Sequence, residues 1–459
     1  MRSERAKVLH QLGGEAMLTR AMRAVASLGP RPLAIVVGHQ ARKVEALARA
    51  AMPNASLAFA TQSEQRGTGH AARCGMTAIP RDFAGEVLVT YGDLPMLSAA
   101  TLAEFHRAHR ARGSRLSFIT AKLPDGGAYG RVVRDSDGEV TSIVEARDAD
   151  ASQRAINEIN TGVYLVDVAV LRSMLDQLQP NNAQGEYYLT DIMGIAKTLG
   201  IGVLGWCALD AAEFAGINSR EELAKMEALI RDQVNRKLME NGVTFIDPNS
   251  AYISEQAEIG ADSIIGPGVQ ILGHSKIGRA VRIEGTAWLS NVTVGDRCHL
   301  KLGVRAEDCI IGEESDIGPF AHLRAGTELK GHNRIGNFVE TKKAKFGRGS
   351  KASHLSYIGD AVIGEGTNIG CGVITVNYDG YDKFVTEIGD RCMVGCDTQL
   401  VAPVKLGNDV YVASGTTIVR AVEDGALVLS HHPQREKPGW TAGFHQRHAG
   451  RRPWWIDKT

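Results

Sequence analysis

The sequence lacks a long apolar run, an excess of charge of either sign, and paired cysteines. Each lack excludes something. No stretch approaches the roughly 20 apolar residues that span a bilayer, so membrane insertion is not expected. Lys+Arg and Asp+Glu both number 52, for a formal net charge of zero. Without a global field, neither nucleic acid nor an acidic membrane is an expected partner. The N-terminus has no signal-peptide apolar core, which points to the cytoplasm. The seven cysteines are scattered, odd in number and without a Cys-x-x-Cys pair. That argues against a zinc ribbon or a disulfide framework and suits reduced thiols.

What is present is a chain of 459 residues, 44% hydrophobic, with 51 glycines. Two or three domains are the natural expectation. Up to about residue 220 strand-like and helix-like pieces alternate. LAIVVGHQ (33–40), EVLVTYGDLPM (86–96), SRLSFITAKL (114–123) and TGVYLVD (161–167) read as strands, and EAMLTRAMRAVASLG (15–29) reads as a helix. Such alternation predicts an α/β domain with a mostly parallel sheet. Ligands of such sheets sit beyond the carboxyl ends of the strands, which directs attention to GDLP after EVLVTY.

From Arg220 to about Gly242, Leu223, Met226, Ile230, Val234 and Leu238 recur at helical spacing, with Gly242 as a stop. The period then becomes six. Ile253, Ile259, Ile265, Ile271, Ile277, Ile283 and Leu289 keep strict register. The series resumes at Ile311, Ile317, Leu323, Leu329 and Ile335, and again at Ile388, Val394, Leu400, Leu406, Val412 and Ile418. Neither a helix nor an ordinary strand has this period. It predicts a parallel β-helix of hexapeptide repeats, with one apolar residue of each hexad pointing inward. The clearest break is TVNYDGYDKFVTE (375–387), read as a loop that walls a site.

Asp93 in YGDLP stands where a carboxylate can hold Mg²⁺ on a nucleotide phosphate, or simply close a turn. The Gly-rich QSEQRGTGHA (62–71) can lay amides against a base or phosphate, or be a plain loop. In the second half Arg324, Lys342, Lys351, His354 and Tyr357 fall in consecutive coils. Lys and Arg in a cleft suit a phosphate monoester, and His354 suits a general base. A solvated basic face with a structural histidine is the other reading.

In this order, QSEQRGTGHA, YGDLP, AYGRVV, IVEARDA, EINTGVY, NNAQGEYYLTDI, NFVETKK, SHLSYIGD, NYDGYDKF and DTQLVAPV resemble a bacterial enzyme family over essentially the whole chain. It is the family of bifunctional N-acetylglucosamine-1-phosphate uridylyltransferase / glucosamine-1-phosphate acetyltransferases, which make UDP-N-acetylglucosamine for the cell wall. The resemblance implies a Rossmann-like nucleotidyltransferase domain over 1–219, a linking helix over 220–242 and a left-handed parallel β-helix over 243–459 that trimerises. It implies UTP binding by Lys7, Gln62, Gly67, Thr68, Tyr91 and Gly92, and Mg²⁺ on Asp93 and Asn218. Gly130, Glu145 and Asn160 would hold N-acetylglucosamine 1-phosphate. Arg324, Lys342, Tyr357 and Asn368, with Lys383 nearby, would hold glucosamine 1-phosphate. Acetyl-CoA would meet Cys371, Asn377, Tyr378, Cys396, Ser414 and His431, while His354 takes a proton from the attacking amine.

The chain departs from the family's pattern in places. Cys371 and Cys396 stand where the family commonly has Ala and Ser, His431 where it usually has Arg, and LRAG where it has LRPG. The family opens with a strand and the loop L-A-A-G-x-G-T-R-M, whereas this chain reads as starting at the final Met. Without that strand its neighbours are expected to show unpaired backbone groups. On that ground the uridylyl site is expected to bind UTP poorly and turn over slowly, leaving acetyl transfer intact.

Overall fold

A computed structural model describes residues 1, 3–182, 184–430 and 434–450. The chain divides into two compact units, Met1–Asp232 and Gln233–Thr459.

The first unit is built on a mixed sheet. Glu158–Asp167 is its central strand, buried along most of its length, and it runs antiparallel to Glu86–Val89, Leu116–Lys122 and Arg131–Arg134. Val203–Cys207 lies parallel to Leu116–Lys122 on the far side, and Val140–Val144 closes the other edge. The expected mostly parallel sheet is therefore mixed. Strand direction depends on the connections around Glu158–Asp167, which apolar patterning does not encode. Leu33–Val37 and Leu57–Thr61 form a separate parallel pair. Among the described residues, Leu33–Val37 pairs only with Leu57–Thr61, and Glu86–Val89 only with Glu158–Asp167. Each thus presents one edge without a strand partner. The predicted helix forms as Met17–Ala26, with Met17, Leu18, Ala21, Met22, Ala24 and Val25 buried.

The helix Arg220–Glu240 spans the division between the units. Met226 and Ile230 are buried, and Glu227 accepts the Gly13 amide at 2.8 Å. Further on, Val234 and Leu238 pack on the core of the second unit.

The second unit is the β-helix, left-handed as the resemblance implies. Each strand pairs in parallel with its counterpart one coil later: Ile253 with Ile271, Ile265 with Ile283, Ile259 with Ile277. Every residue of the period-six series is buried in one continuous core. A second column runs inside a corner and is polar. Ser315, Asn333, Ser350 and Thr367 are all at most 1% exposed, and each holds the coil above or below. The Asn333 amide donates to Gly347 O at 2.7 Å and Ser350 O at 3.1 Å. Ser350 Oγ accepts from Thr367 N at 3.0 Å, and Thr367 Oγ1 accepts from Cys392 N at 3.0 Å. Buried polar groups are tolerable here because each one is paired.

Candidate active sites

In the first unit, three of the sequence-nominated residues meet at one point. Lys7, just after the N-terminus, extends its ammonium to the Asp93 carboxylate and to Asn218 Oδ1 at 2.6 Å. Two hard oxygen donors thus already converge on one cation. Among the described residues no group of three His, Cys, Asp or Glu could hold a metal. Asp93 and Asn218 would therefore supply only part of a Mg²⁺ shell, which suits an ion that keeps waters and phosphate oxygens.

The Gly-rich loop is held from behind. Gly67 has φ +99°, and a Cβ there would lie 2.6 Å from Tyr187 O. Gly69 N donates to the same carbonyl at 2.7 Å. Thr68 Oγ1 accepts from Leu189 N at 3.0 Å, and Gln62 Nε2 donates to Gly67 O at 3.2 Å. The loop 186–189 thereby sets the start of the helix Thr68–Met76. Gly92 brings its backbone against Leu18 and Val8.

A third cluster gathers Gly130, Glu145 and Asn160. A Cβ on Gly130 would lie 3.6 Å from both Glu145 carboxylate oxygens, and Asn160 N donates to Gly130 O at 2.9 Å. Asn160 Nδ2 donates to the Tyr164 hydroxyl at 2.7 Å. Burial holds the Glu145 carboxyl above the usual carboxylate range; a hydrogen bond from Thr190 opposes the shift, and Asp148 and Asp191 add to it. A Cβ on Gly162 would lie 2.0 Å from Tyr91 Cε2, so glycine there lets the Tyr91 ring lie close to the strand. Thr190, Asp191 and Tyr164 are not among the expected site residues, although the first two lie inside NNAQGEYYLTDI and the third ends EINTGVY. The motifs are visible in the sequence, while the contacts of Thr190 to Glu145 and of Tyr164 to Asn160 are not.

In the second unit, register brings a basic group together. Glu340 pairs with Tyr357 and Lys342 with Gly359, while from one coil below Arg324 N donates to Thr341 O at 2.9 Å. The Arg324 guanidinium bonds Glu340 at 2.7 Å. The 377–384 loop adds Lys383, whose ammonium is destabilised first by a hydrogen bond with Lys342 and then by that lysine's charge. Two cations crowded together in this way invite an anion. The Asn377 amide donates to Asp360, and Tyr378 donates to Gly380 O at 2.6 Å, bracing the loop. Asn368 lies apart from this group, between Lys351 and Met393 in its own ladder; its amide contacts Met393 Sδ at 3.3 Å.

The corner beside these strands carries a second arrangement. Asn337 pairs with His354, and the pairings Ala352–Ile369, Ile369–Val394 and Val394–Val412 carry the register upward. Two residues beyond each of these come His354, Cys371, Cys396 and Ser414, the same corner position in four successive coils. Asp397 N donates to Cys371 O at 2.8 Å, and Gly415 N to Cys396 O at 2.7 Å. His431 lies outside the described residues.

An α/β unit in which Lys7, Asp93 and Asn218 converge, followed by a hexapeptide β-helix with a basic group beside a histidine-bearing corner, fits a two-domain transferase class. A MobA-like NTP transferase domain matches residues 1–241, a GMPPB C-terminal domain 248–343, and a bacterial transferase hexapeptide of six repeats 386–420. Over 96% of its length, the chain is 43% identical to the bifunctional protein GlmU of Pelobacter propionicus and 44% identical to that of Trichlorobacter lovleyi, covering 95% of each. The corresponding protein of Mycolicibacterium vanbaalenii is 44% identical over the same share of the chain, with 90% of its own length covered. The chain belongs to the bifunctional GlmU family. Two solved structures of UDP-glucose pyrophosphorylase, one complexed with UDP-glucose and one apo, align over 50% of this chain and 90% of theirs, at TM-scores of 0.39 and 0.40 and identities of 15% and 14%. Among the described residues, no helix is long and apolar enough to cross a membrane.

Proposed function

We propose that the chain is a bifunctional transferase of UDP-N-acetylglucosamine synthesis, acting in the cytoplasm. Acetyl transfer from acetyl-CoA to glucosamine 1-phosphate falls to residues 243–459, and uridylyl transfer from UTP to N-acetylglucosamine 1-phosphate to residues 1–219, with 220–242 as linker. The observation that carries this reading is the identity of 43–44% over 96% of the chain to relatives named bifunctional.

In acetyl transfer, Arg324 and Lys342 grip the sugar phosphate, and the dianion relieves the repulsion between Lys342 and Lys383. Tyr357, paired with Glu340, completes that subsite, whereas Asn368, expected with them, stands on its own ladder between Lys351 and Met393. His354 accepts the proton of the amine as it attacks the thioester carbonyl, since only a neutral amine is nucleophilic. Backbone amides near Cys371 and Cys396 meet the developing oxyanion, the CoA thiolate leaves, and Asn377, Tyr378, Ser414 and His431 hold the coenzyme. In uridylyl transfer, a sugar-phosphate oxygen attacks the UTP α-phosphorus in line and pyrophosphate leaves. Gln62, Gly67, Thr68, Tyr91 and Gly92 hold the nucleotide, and Gly130, Glu145 and Asn160 the sugar phosphate. Mg²⁺, when bound, neutralises phosphate charge. Asp93 and Asn218 would hold it, while Lys7 turns its ammonium to the phosphates.

The β-helix is proposed to trimerise. Leu302, Phe320, Phe338 and Leu355 are 45–59% exposed near one corner, and Phe320 stacks on Phe338 at 5.6 Å. The expectation of a uridylyl site that turns over slowly is not favoured, since the relatives matched over 96% of the chain are named bifunctional. The test measures CoA released from acetyl-CoA plus glucosamine 1-phosphate beside pyrophosphate released from UTP plus N-acetylglucosamine 1-phosphate. Both products support the bifunctional reading; CoA without pyrophosphate, or neither product, overturns it.

A further inference from the structure

We propose that Cys371 and Cys396 form a reversible disulfide across consecutive coils, and that this bond shuts the acetyl-transfer site. The consequence for activity rests on the proposed function, but formation of the bond does not.

The pairing of Ile369 with Val394 sets the two cysteines at one corner position, one coil apart. The hydrogen bond from Asp397 N to Cys371 O, at 2.8 Å, fixes that corner. The cysteines lie two residues past the strands Asn368–Ile369 and Met393–Val394. Coils stacked at about the 4.8 Å strand spacing put their Cα atoms inside the roughly 4.4–6.8 Å that a disulfide spans, and closure draws the Cβ atoms in to about 3.5–4.5 Å. Both thiols are free, Cys396 exposed and Cys371 half-buried. The other β-helix thiols are shielded. Cys298, Cys309 and Cys392 are at most 4% exposed, and burial pushes the first two thiols up to about 11 and about 12, where little nucleophilic thiolate exists. Oxidation is therefore directed to the corner pair. His354 sits one coil below Cys371 in the same column, so a bridge there alters the surface on which the thioester must lie.

With hydrogen peroxide as oxidant the chemistry balances. The exposed Cys396 sulfur attacks one peroxide oxygen, the O–O bond breaks, and sulfenic acid and water form. The Cys371 sulfur then attacks the sulfenic sulfur, expelling a second water as the S–S bond closes. A dithiol reductant reverses it by exchange.

The test treats the full chain with peroxide, blocks residual thiols, and maps tryptic peptides while CoA release is assayed. Expected is a cross-link between peptides 352–383 and 392–405, roughly tenfold loss of CoA release, and recovery with dithiothreitol. Cys392 shares the second peptide, so Cys396→Ser must abolish the cross-link, and its treated-to-untreated activity ratio must stay near one. Absence of the cross-link, while the exposed Cys207 is oxidised, overturns the proposal. A cross-link with CoA release unchanged overturns the shut-off. If untreated chain releases no CoA, the acetyl-transfer reading fails, while the peptide map still judges the bond.

Discussion

His354 and Glu145 carry the tests that belong to single residues. His354 has no side-chain hydrogen bond or ion pair among the described residues and stands exposed at its corner, so replacing it should cost chemistry rather than folding. His354→Ala is expected to lower CoA release by about 10²- to 10⁴-fold with an unchanged melting temperature; a lowered melting temperature with most activity retained would contradict the assignment. Glu145 makes a pH prediction. Its folded carboxyl is held above the unfolded value, chiefly by burial, so the folded state binds more protons than the unfolded state between the two. Stability should therefore fall as pH rises from the unfolded value through the raised one. Glu145→Gln should flatten that part of the melting-temperature profile, and should raise KM for the sugar phosphate in uridylyl transfer. An unaltered profile would show that burial of Glu145 does not penalise its charge. Residues of this kind were only partly legible in the sequence. Asp93 and Lys7 were nominated, but Thr190 was not, because its hydrogen bond to Glu145 spans 45 positions of chain and no local pattern encodes it.

At the scale of elements, two devices bear the load. The first is the loop that meets the Gly-rich turn, where Gly67 combines φ +99° with a carbonyl 2.6 Å from its absent Cβ. Gly67→Ala must shift backbone, and should lower pyrophosphate release by roughly tenfold or more while leaving CoA release intact. Equal loss of both products would place the fault in folding instead. The second is the buried polar column of the β-helix. Asn333→Ala removes three hydrogen bonds, to Gly331 N, Gly347 O and Ser350 O, and should destabilise the β-helix by about 1–3 kcal/mol for each group left unpaired. Denaturant unfolding measures it. The hexads were readable because every sixth residue faces one core. The corner column of Cys371 and Cys396 was not, because the 377–384 loop sets these stacked residues 25 positions apart instead of the usual 17 or 18. Strand direction around Glu158–Asp167 was also hidden, since alternation of elements reports burial and not polarity.

For the whole molecule, two proposed chemistries fall to the two compact units of one chain. Trimer formation belongs to this scale. Sedimentation should report three chain masses, and Phe338→Asp, which places a charge in the exposed Phe320–Phe338 stack, should yield a lighter species. A single-chain mass for the unaltered protein would remove the proposed role of that corner. Division of labour is tested most directly by assaying CoA and pyrophosphate release in parallel for the unaltered chain, His354→Ala and Asp93→Asn. Both products are expected from the first, pyrophosphate without CoA from the second, and CoA without pyrophosphate from the third. One substitution silencing both reactions, or no pyrophosphate from the unaltered chain, would contradict that division.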